Sequence, residues 1–351
     1  MKLASLREGG RDGTLVIVSR DLKRAVKVPE IARTLQYALD NWQRVEGDLR
    51  RASKRLHGIH FDPIGAGRAF EFDVGRVAPP LPRAYQVLDA SAYLNHVEVV
   101  RQARGASMPE SYYRDPLMHQ TRSDAFFAPA EDIRLRDEAA GIDFESEIAV
   151  IVDDVPLGVT PEAAGRYIRL IVLVNDVSLR NLIPDELAKG YGYLHGKPGL
   201  SLSPVAVTPD ELGPYWDGGK VHLPLLTHLN GHLFGNPNAA VDMTFDFPTL
   251  IAHAAKTRPL SAGTVIASGA VSNRDARVGP SCIAELRTLE TIIAGRASTP
   301  FLRFGDLVRI EMIDGDGRSV FGAIEQRIVR FEETDARDGG IGEVVPFRNG
   351  C

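Results

Sequence analysis

The residues with chemistry in their side chains gather first in the stretch Gly141-Ile142-Asp143-Phe144-Glu145-Ser146-Glu147-Ile148-Ala149-Val150-Ile151-Val152. It alternates as a β-strand does, and strand neighbours two apart share a face. Asp143, Glu145 and Glu147 then point one way, while Phe144, Ser146, Ile148 and Val150 point the other. Like charges at that spacing repel, so such a face needs a counter-charge. Further on, a second apolar run over residues 167–174 ends in Asn175-Asp176. If the two strands lie side by side, Asp176 joins Glu145 and Glu147 in an all-oxygen site of the kind hard divalent cations prefer. The competing reading of this spacing is an ordinary solvated acidic strand face.

The elements that must position these groups can be read along the chain. Lys2–Leu6 and Thr14–Val18 read as strands, with Gly9, Gly10 and Gly13 supplying the turn between them. Ile31, Leu35, Leu39, Trp42, Val45 and Leu49 recur every three or four residues and predict one amphipathic helix from about Glu30. Residues 58–75, rich in glycine, read as a loop and linker, so a small module is expected over 1–80. The main domain is expected over 81–333. It holds a helix within residues 91–104, a long irregular segment at 106–140, and a hairpin turning on Asn230-Gly231. A helix follows from Pro248, and a second hairpin turns on Asp314-Gly315-Asp316-Gly317. Residues 334–351 read as a loose tail. Many strands and few helices predict a β-rich α+β chain.

Composition narrows the function classes. At 351 residues the chain suits one large domain with a small one. A net charge of −5 without any Lys/Arg block argues against a nucleic-acid partner. Cys282 and Cys351 cannot make a disulfide framework. No signal-peptide core opens the chain and no apolar run is long enough for a membrane span, so a cytoplasmic protein is expected.

The order of the motifs adds a resemblance. Asp143-Phe144-Glu145-Ser146-Glu147, then Asn175-Asp176-Val177-Ser178-Leu179-Arg180, then Gly196-Lys197-Pro198 is similar to the pattern of the fumarylacetoacetate hydrolase family. Leu229-Asn230-Gly231, Phe247-Pro248-Thr249, Gly263-Thr264-Val265 and Gly305-Asp306-Leu307 extend it, so the likeness covers residues 81 to 331. It implies a small N-terminal α/β module followed by a mixed β-sandwich roll. It also implies a homodimer that hydrolyses a C–C bond in a β-diketo acid, fumarylacetoacetate foremost, in aromatic amino-acid catabolism. A 2-oxo acid hydratase, an acylpyruvate hydrolase and an oxaloacetate-type decarboxylase are alternatives on the same scaffold.

The resemblance also assigns roles. Glu145, Glu147 and Asp176 would ligate a divalent metal, Mg²⁺ first, with Ca²⁺ or Mn²⁺ as alternatives. The family's further upstream aspartate aligns with Ser91, two residues past Asp89, so that ligand is expected to be missing. Tyr93-Leu94-Asn95-His96 resembles the family's Tyr-x-x-His and makes His96 the general base, with Glu98 as its acidic partner and Glu110 or Glu285 as substitutes. Lys197 would steady an oxyanion or protonate the departing carbanion. Tyr93, Arg104 and His119 would bind substrate, His119 standing where the family tends to show tyrosine. Arg180 is expected to brace Asp176 or a backbone turn.

Overall fold

A computed structural model describes residues 1–57, 69–103 and 105–332. Most of the expected linker and the expected tail at 334–351 lie outside these residues, and so does Arg104.

The first two strands form where they are expected, Lys2–Leu6 against Thr14–Val18, and a third, Arg24–Lys27, extends the ribbon. The single helix expected from Glu30 is two, Leu35–Asp40 and Trp42–His57. Thr34 caps the first by accepting from the Tyr37 N–H at 3.1 Å. Asn41 ends it, because its side chain donates to the Tyr37 carbonyl at 3.0 Å and its backbone leaves the helical region at φ −128°. The apolar stripe continues across the break through Trp42, Val45, Leu49 and Leu56, all buried.

The sheet does not stop at the end of the N-terminal module. Lys2–Leu6 pairs with Ala206–Val207, and the ladder continues through Ile168–Leu179, Ser146–Val152, Val265–Ala267, Val87–Ala90 and Met118–Gln120. Its long central strands are buried on both faces. One face carries Ala149, Ile151, Leu170, Val172 and Val174 against the two N-terminal helices; the other carries Ile148, Val150, Ile171 and Leu173 toward the rest of the main domain. That two-sided burial accounts for near-continuous apolar runs where a half-exposed strand would alternate. Within the main domain lies a second sheet, ordered His232–Gly235, Leu226–Leu229, Leu307–Glu311, Ile324–Arg330 and Ile133–Leu135. Asn230 and Gly231 both take positive φ, 53° and 79°, as the expected two-residue hairpin requires.

The segment at 106–140 is less irregular than expected, since Met118–Gln120 and Ile133–Leu135 each join a sheet. A helix that the sequence reading passed over, Ile283–Ala294, runs from a cap at Cys282 to a left-handed Gly295 at φ 76°.

Candidate active site

Sheet register brings three carboxylates to one place. Glu147 lies opposite Val174, and Asp176 is two residues beyond Val174, so both project from the same face. Ala149, two residues from Glu147, lies opposite Ala267, which lies opposite Asp89. Asp89 therefore shares that face, and the two small alanines leave room for the carboxylates. One oxygen from each of Asp89, Glu147 and Asp176 lies within 4.8 Å of the others, and all three residues are buried.

Most oxygens of this cluster lack the partners that buried carboxylates need. Asp89 Oδ1, both oxygens of Glu147 and Asp176 Oδ1 have no hydrogen-bond donor among the described residues. Burial, only partly offset by Lys197, lifts Asp89 and Asp176 to about 6. Burial together with the negative charges of Asp89, Asp176 and Glu145 pushes Glu147 well above the usual carboxylate range. Hard oxygen donors that are buried, convergent and unsatisfied fit a divalent cation, whose charge would hold them ionised.

The composition of the cluster bears on two expectations. Asp89, not the aligned Ser91, supplies the upstream carboxylate, so that acid is present. Glu145 stands beside these three: its Oε1 accepts from Lys197 Nζ at 2.7 Å and Ser178 Oγ at 2.8 Å, and lies 2.9 Å from Arg180 Nη2. Burial opposes its ionisation, but Arg180 and Lys197 outweigh it and hold Glu145 far below the usual range. The acidic run is also not one strand. It breaks between Ile142–Asp143 and Ser146–Val152, and Asp143 accepts from Arg180 Nε at 2.8 Å and from the N–H groups of Ile283 and Ala284 at 2.8 and 2.9 Å. Arg180 thus braces Asp143 and Glu145 rather than Asp176. Asp143 in turn pins the start of the helix Ile283–Ala294, where a carboxylate is favoured.

Lys197 bridges the two groups of acids, with Nζ 2.7 Å from both Glu145 Oε1 and Asp176 Oδ2. Burial would lower its pKa, yet Asp176, Glu145 and Asp89 raise it well above the ordinary value, so it is an ammonium. Its loop is fixed by Glu186, which accepts from the N–H groups of Leu194, His195 and Gly196 at 3.1, 2.7 and 2.9 Å. A Cβ at 196 would lie 2.7 Å from Ile183 Cγ1, so any larger residue there would have to displace that side chain.

His96 sits on the helix Leu94–Ala103, and its Nδ1 donates to Glu285 Oε2 at 2.5 Å. Burial lowers the histidine's pKa, and the bond and charge of Glu285 more than reverse that. Glu98, the expected partner, instead accepts from Tyr113 at 3.2 Å and Arg274 at 3.0 Å. The reason is helical geometry: residues two apart do not face each other. Tyr93 is buried and its hydroxyl donates to the Ala239 carbonyl at 2.5 Å, so it forms wall rather than an open polar contact. His119 is half-buried, its Nε2 3.6 Å from Asp89 Oδ2, and its ring stacks edgewise on Tyr193 at 4.7 Å. Burial and Lys197 lower the pKa of His119.

Comparison with known proteins supplies the family. Residues 87–329 match the family described as fumarylacetoacetate (FAA) hydrolase C-terminal, and residues 1–83 match fumarylacetoacetase N-terminal domain 2. The chain belongs to the fumarylacetoacetate hydrolase family. Its expected fold stands with it: sheet-rich α+β with a small N-terminal module. Similar solved structures include a putative HpcE protein from Mycobacterium smegmatis, with TM-score 0.63 and 19% identity over 95% of this chain and 100% of that one. Another is the maleylpyruvate hydrolase of Sphingobium sp. SYK-6 in complex with manganese(II) and pyruvate, with TM-score 0.61 and 16% identity over 95% and 100%. A fumarylacetoacetate hydrolase from Exiguobacterium antarcticum gives TM-score 0.59 and 16% identity over 94% and 100%. A curated relative, the mitochondrial oxaloacetate tautomerase fahd2 of Xenopus laevis, is 25% identical over 221 residues, 62% of this chain. The match spans 59% of that relative's length. At these identities the solved structures speak for fold; by name they include both hydrolases and isomerases.

Within this fumarylacetoacetate hydrolase fold, several residues escaped the sequence reading. Asp89 was displaced by a two-residue alignment slip. Glu285 was one of three open choices, although Ile283, Leu286, Leu289 and Ile293 followed by Gly295 already carry a helical period and stop. Nothing local marks Tyr193 or Ser272. Among the described residues no helix is long and apolar enough to cross a membrane.

Proposed function

We propose that this chain is a metal-dependent hydrolase that cleaves a C–C bond in a β-dicarbonyl acid, with fumarylacetoacetate the leading substrate. The observation that carries this reading is the His96–Glu285 pair standing in one site with the carboxylate cluster and the Lys197 ammonium. Asp89, Glu147 and Asp176 would hold the cation, Mg²⁺ or Mn²⁺, with Glu145 beside them bound to Lys197. When bound, the cation would supply Lewis acidity that polarises a substrate carbonyl and absorbs negative charge. Glu285 keeps the His96 proton on Nδ1, so Nε2 is free to accept a proton from water. The resulting hydroxide adds to the carbonyl carbon, and the bond to the neighbouring carbon breaks. Lys197 is placed to steady developing negative charge and to protonate the departing carbanion. His119, Tyr193 and Arg104 are assigned to the substrate, Arg104 through a bidentate guanidinium–carboxylate pair. Glu98 has no part in this scheme, and a homodimer is proposed as the working unit.

The name of the 25%-identical relative favours one second reading, tautomerisation of a 2-oxo acid, which moves a proton on carbon without consuming water. A panel of fumarylacetoacetate, acylpyruvates and oxaloacetate, run with Mg²⁺ or Mn²⁺, separates the two. Hydrolysis of fumarylacetoacetate, lost by at least about 10²-fold in His96→Ala with cation binding intact, is expected. Brisk enol–keto exchange of oxaloacetate without any cleavage product would replace the hydrolase reading by the second one. Light scattering in solution reads the oligomeric state.

A further inference from the structure

The Glu285 carboxylate has a second occupant. While Oε2 takes the His96 Nδ1 proton, Oε1 accepts from Ser272 Oγ at 2.9 Å. Ser272 is completely buried, and its oxygen accepts from Asn95 Nδ2 at 2.7 Å. Asn95 also donates to the Asn273 carbonyl at 3.1 Å, and it is the residue just before His96 on the same helix. Four side chains therefore close a ring between two helices and the turn after Val265–Ala267. Asn273 anchors that turn, donating to the carbonyls of Asn238 and Val241 at 3.1 and 2.8 Å.

The ring has a direction. An amide nitrogen only donates, so Ser272 must accept from Asn95 and spend its single proton on Glu285. Glu285 is then an acceptor at both oxygens, and the proton between it and His96 must come from Nδ1. In the neutral ring that fixes the imidazole tautomer and leaves Nε2 without a proton.

We propose that Ser272, oriented by Asn95, is a positioning residue that holds Glu285 so that His96 presents an unprotonated Nε2. This rests on His96 being the base, and the tests separate the two ideas. Removing the bond to a charged acceptor in Ser272→Ala should lower kcat about tenfold or more, while KM and Mn²⁺ affinity stay at wild-type values. In ¹⁵N spectra of the imidazoles above the pKa of His96, wild type should show one Nδ1–H tautomer and Ser272→Ala a mixture. Ser272→Thr, which keeps the hydroxyl, should restore both readouts. Asn95→Ala, at a partly buried position, should give a smaller loss in the same direction and serves if the serine variant folds poorly. Wild-type kcat and an unmixed tautomer in Ser272→Ala, with His96→Ala inactive, would overturn the proposal alone. If His96→Ala stays active the base reading falls instead, and the tautomer spectra still decide whether Ser272 positions the ring.

Discussion

Glu147→Gln should act with opposite sign in the metal-free and metal-loaded protein. Without metal, both Glu147 oxygens are buried and unpartnered, facing Asp89 and Asp176 within 4.8 Å. Glutamine keeps the shape, removes the negative charge and adds two donors aimed at those acids, so the metal-free variant should be at least as stable as wild type. With metal the order reverses. A cation at a hundredfold excess over its Kd stabilises the folded state by about 2.7 kcal/mol. Unfolding entropy of about 2.1 cal/mol/K per residue, roughly 0.7 kcal/mol/K for a chain of this length, makes that a Tm rise of about 4 °C. Loss of an outer-shell partner weakens metal binding about 10–100-fold, and loss of a ligand should do no less. At the same cation concentration the excess over Kd falls to between about ten and one, and the stabilisation to about 1.4–0.4 kcal/mol. The Tm rise should then shrink to about 2 °C or less. Thermal scans of chelated and Mn²⁺-supplemented protein, with calorimetry for affinity, test both halves. A variant that keeps the full wild-type Mn²⁺ shift would refute the assignment of the cation to this cluster.

Lys197→Met should cost the metal-free protein about 3 kcal/mol or more, because removing one partner of a buried ion pair strands the other; added cation should recover part of this, and turnover should drop by much more than threefold. Chemical denaturation and steady-state rates check it. Glu285→Gln should reduce kcat about 10²-fold while Glu98→Gln stays within about threefold, the general-base range setting the scale; equal losses would mean the His96 partner is misassigned. Lys2, buried with Nζ donating to the carbonyls of Ser319 and Val320, is lowered by burial to about 8. The folded state then holds fewer protons than the unfolded state between about pH 8 and 10.5, so stability contributed by this site rises with pH there, by on the order of 3 kcal/mol. Urea midpoints of wild type relative to Lys2→Met across that window should show the rise, and a pH-independent difference would contradict it.

What could be read without coordinates was whatever depends on near neighbours in the chain. Short apolar runs bounded by turn glycines placed the strands Lys2–Leu6 and Thr14–Val18, and Asn230-Gly231 dictated a hairpin because its backbone needs two positive φ values. The ordered motifs around Glu147, Asp176 and Lys197 were enough to indicate the family. Local pattern erred where a side chain competes with its own backbone, as Asn41 does in splitting one expected helix into two. The partners of each charge were decided by tertiary structure. Asp89 reaches Glu147 because Val87–Ala90 lies parallel to Val265–Ala267, a pairing between distant segments whose register no local pattern encodes. Glu285 displaces Glu98 as the companion of His96 because a second helix, pinned by Asp143, presents it from outside the histidine's own helix. Glu145 meets Lys197 and Arg180 beside the cluster because a buried carboxylate settles where cations already wait, and the fold places both within reach.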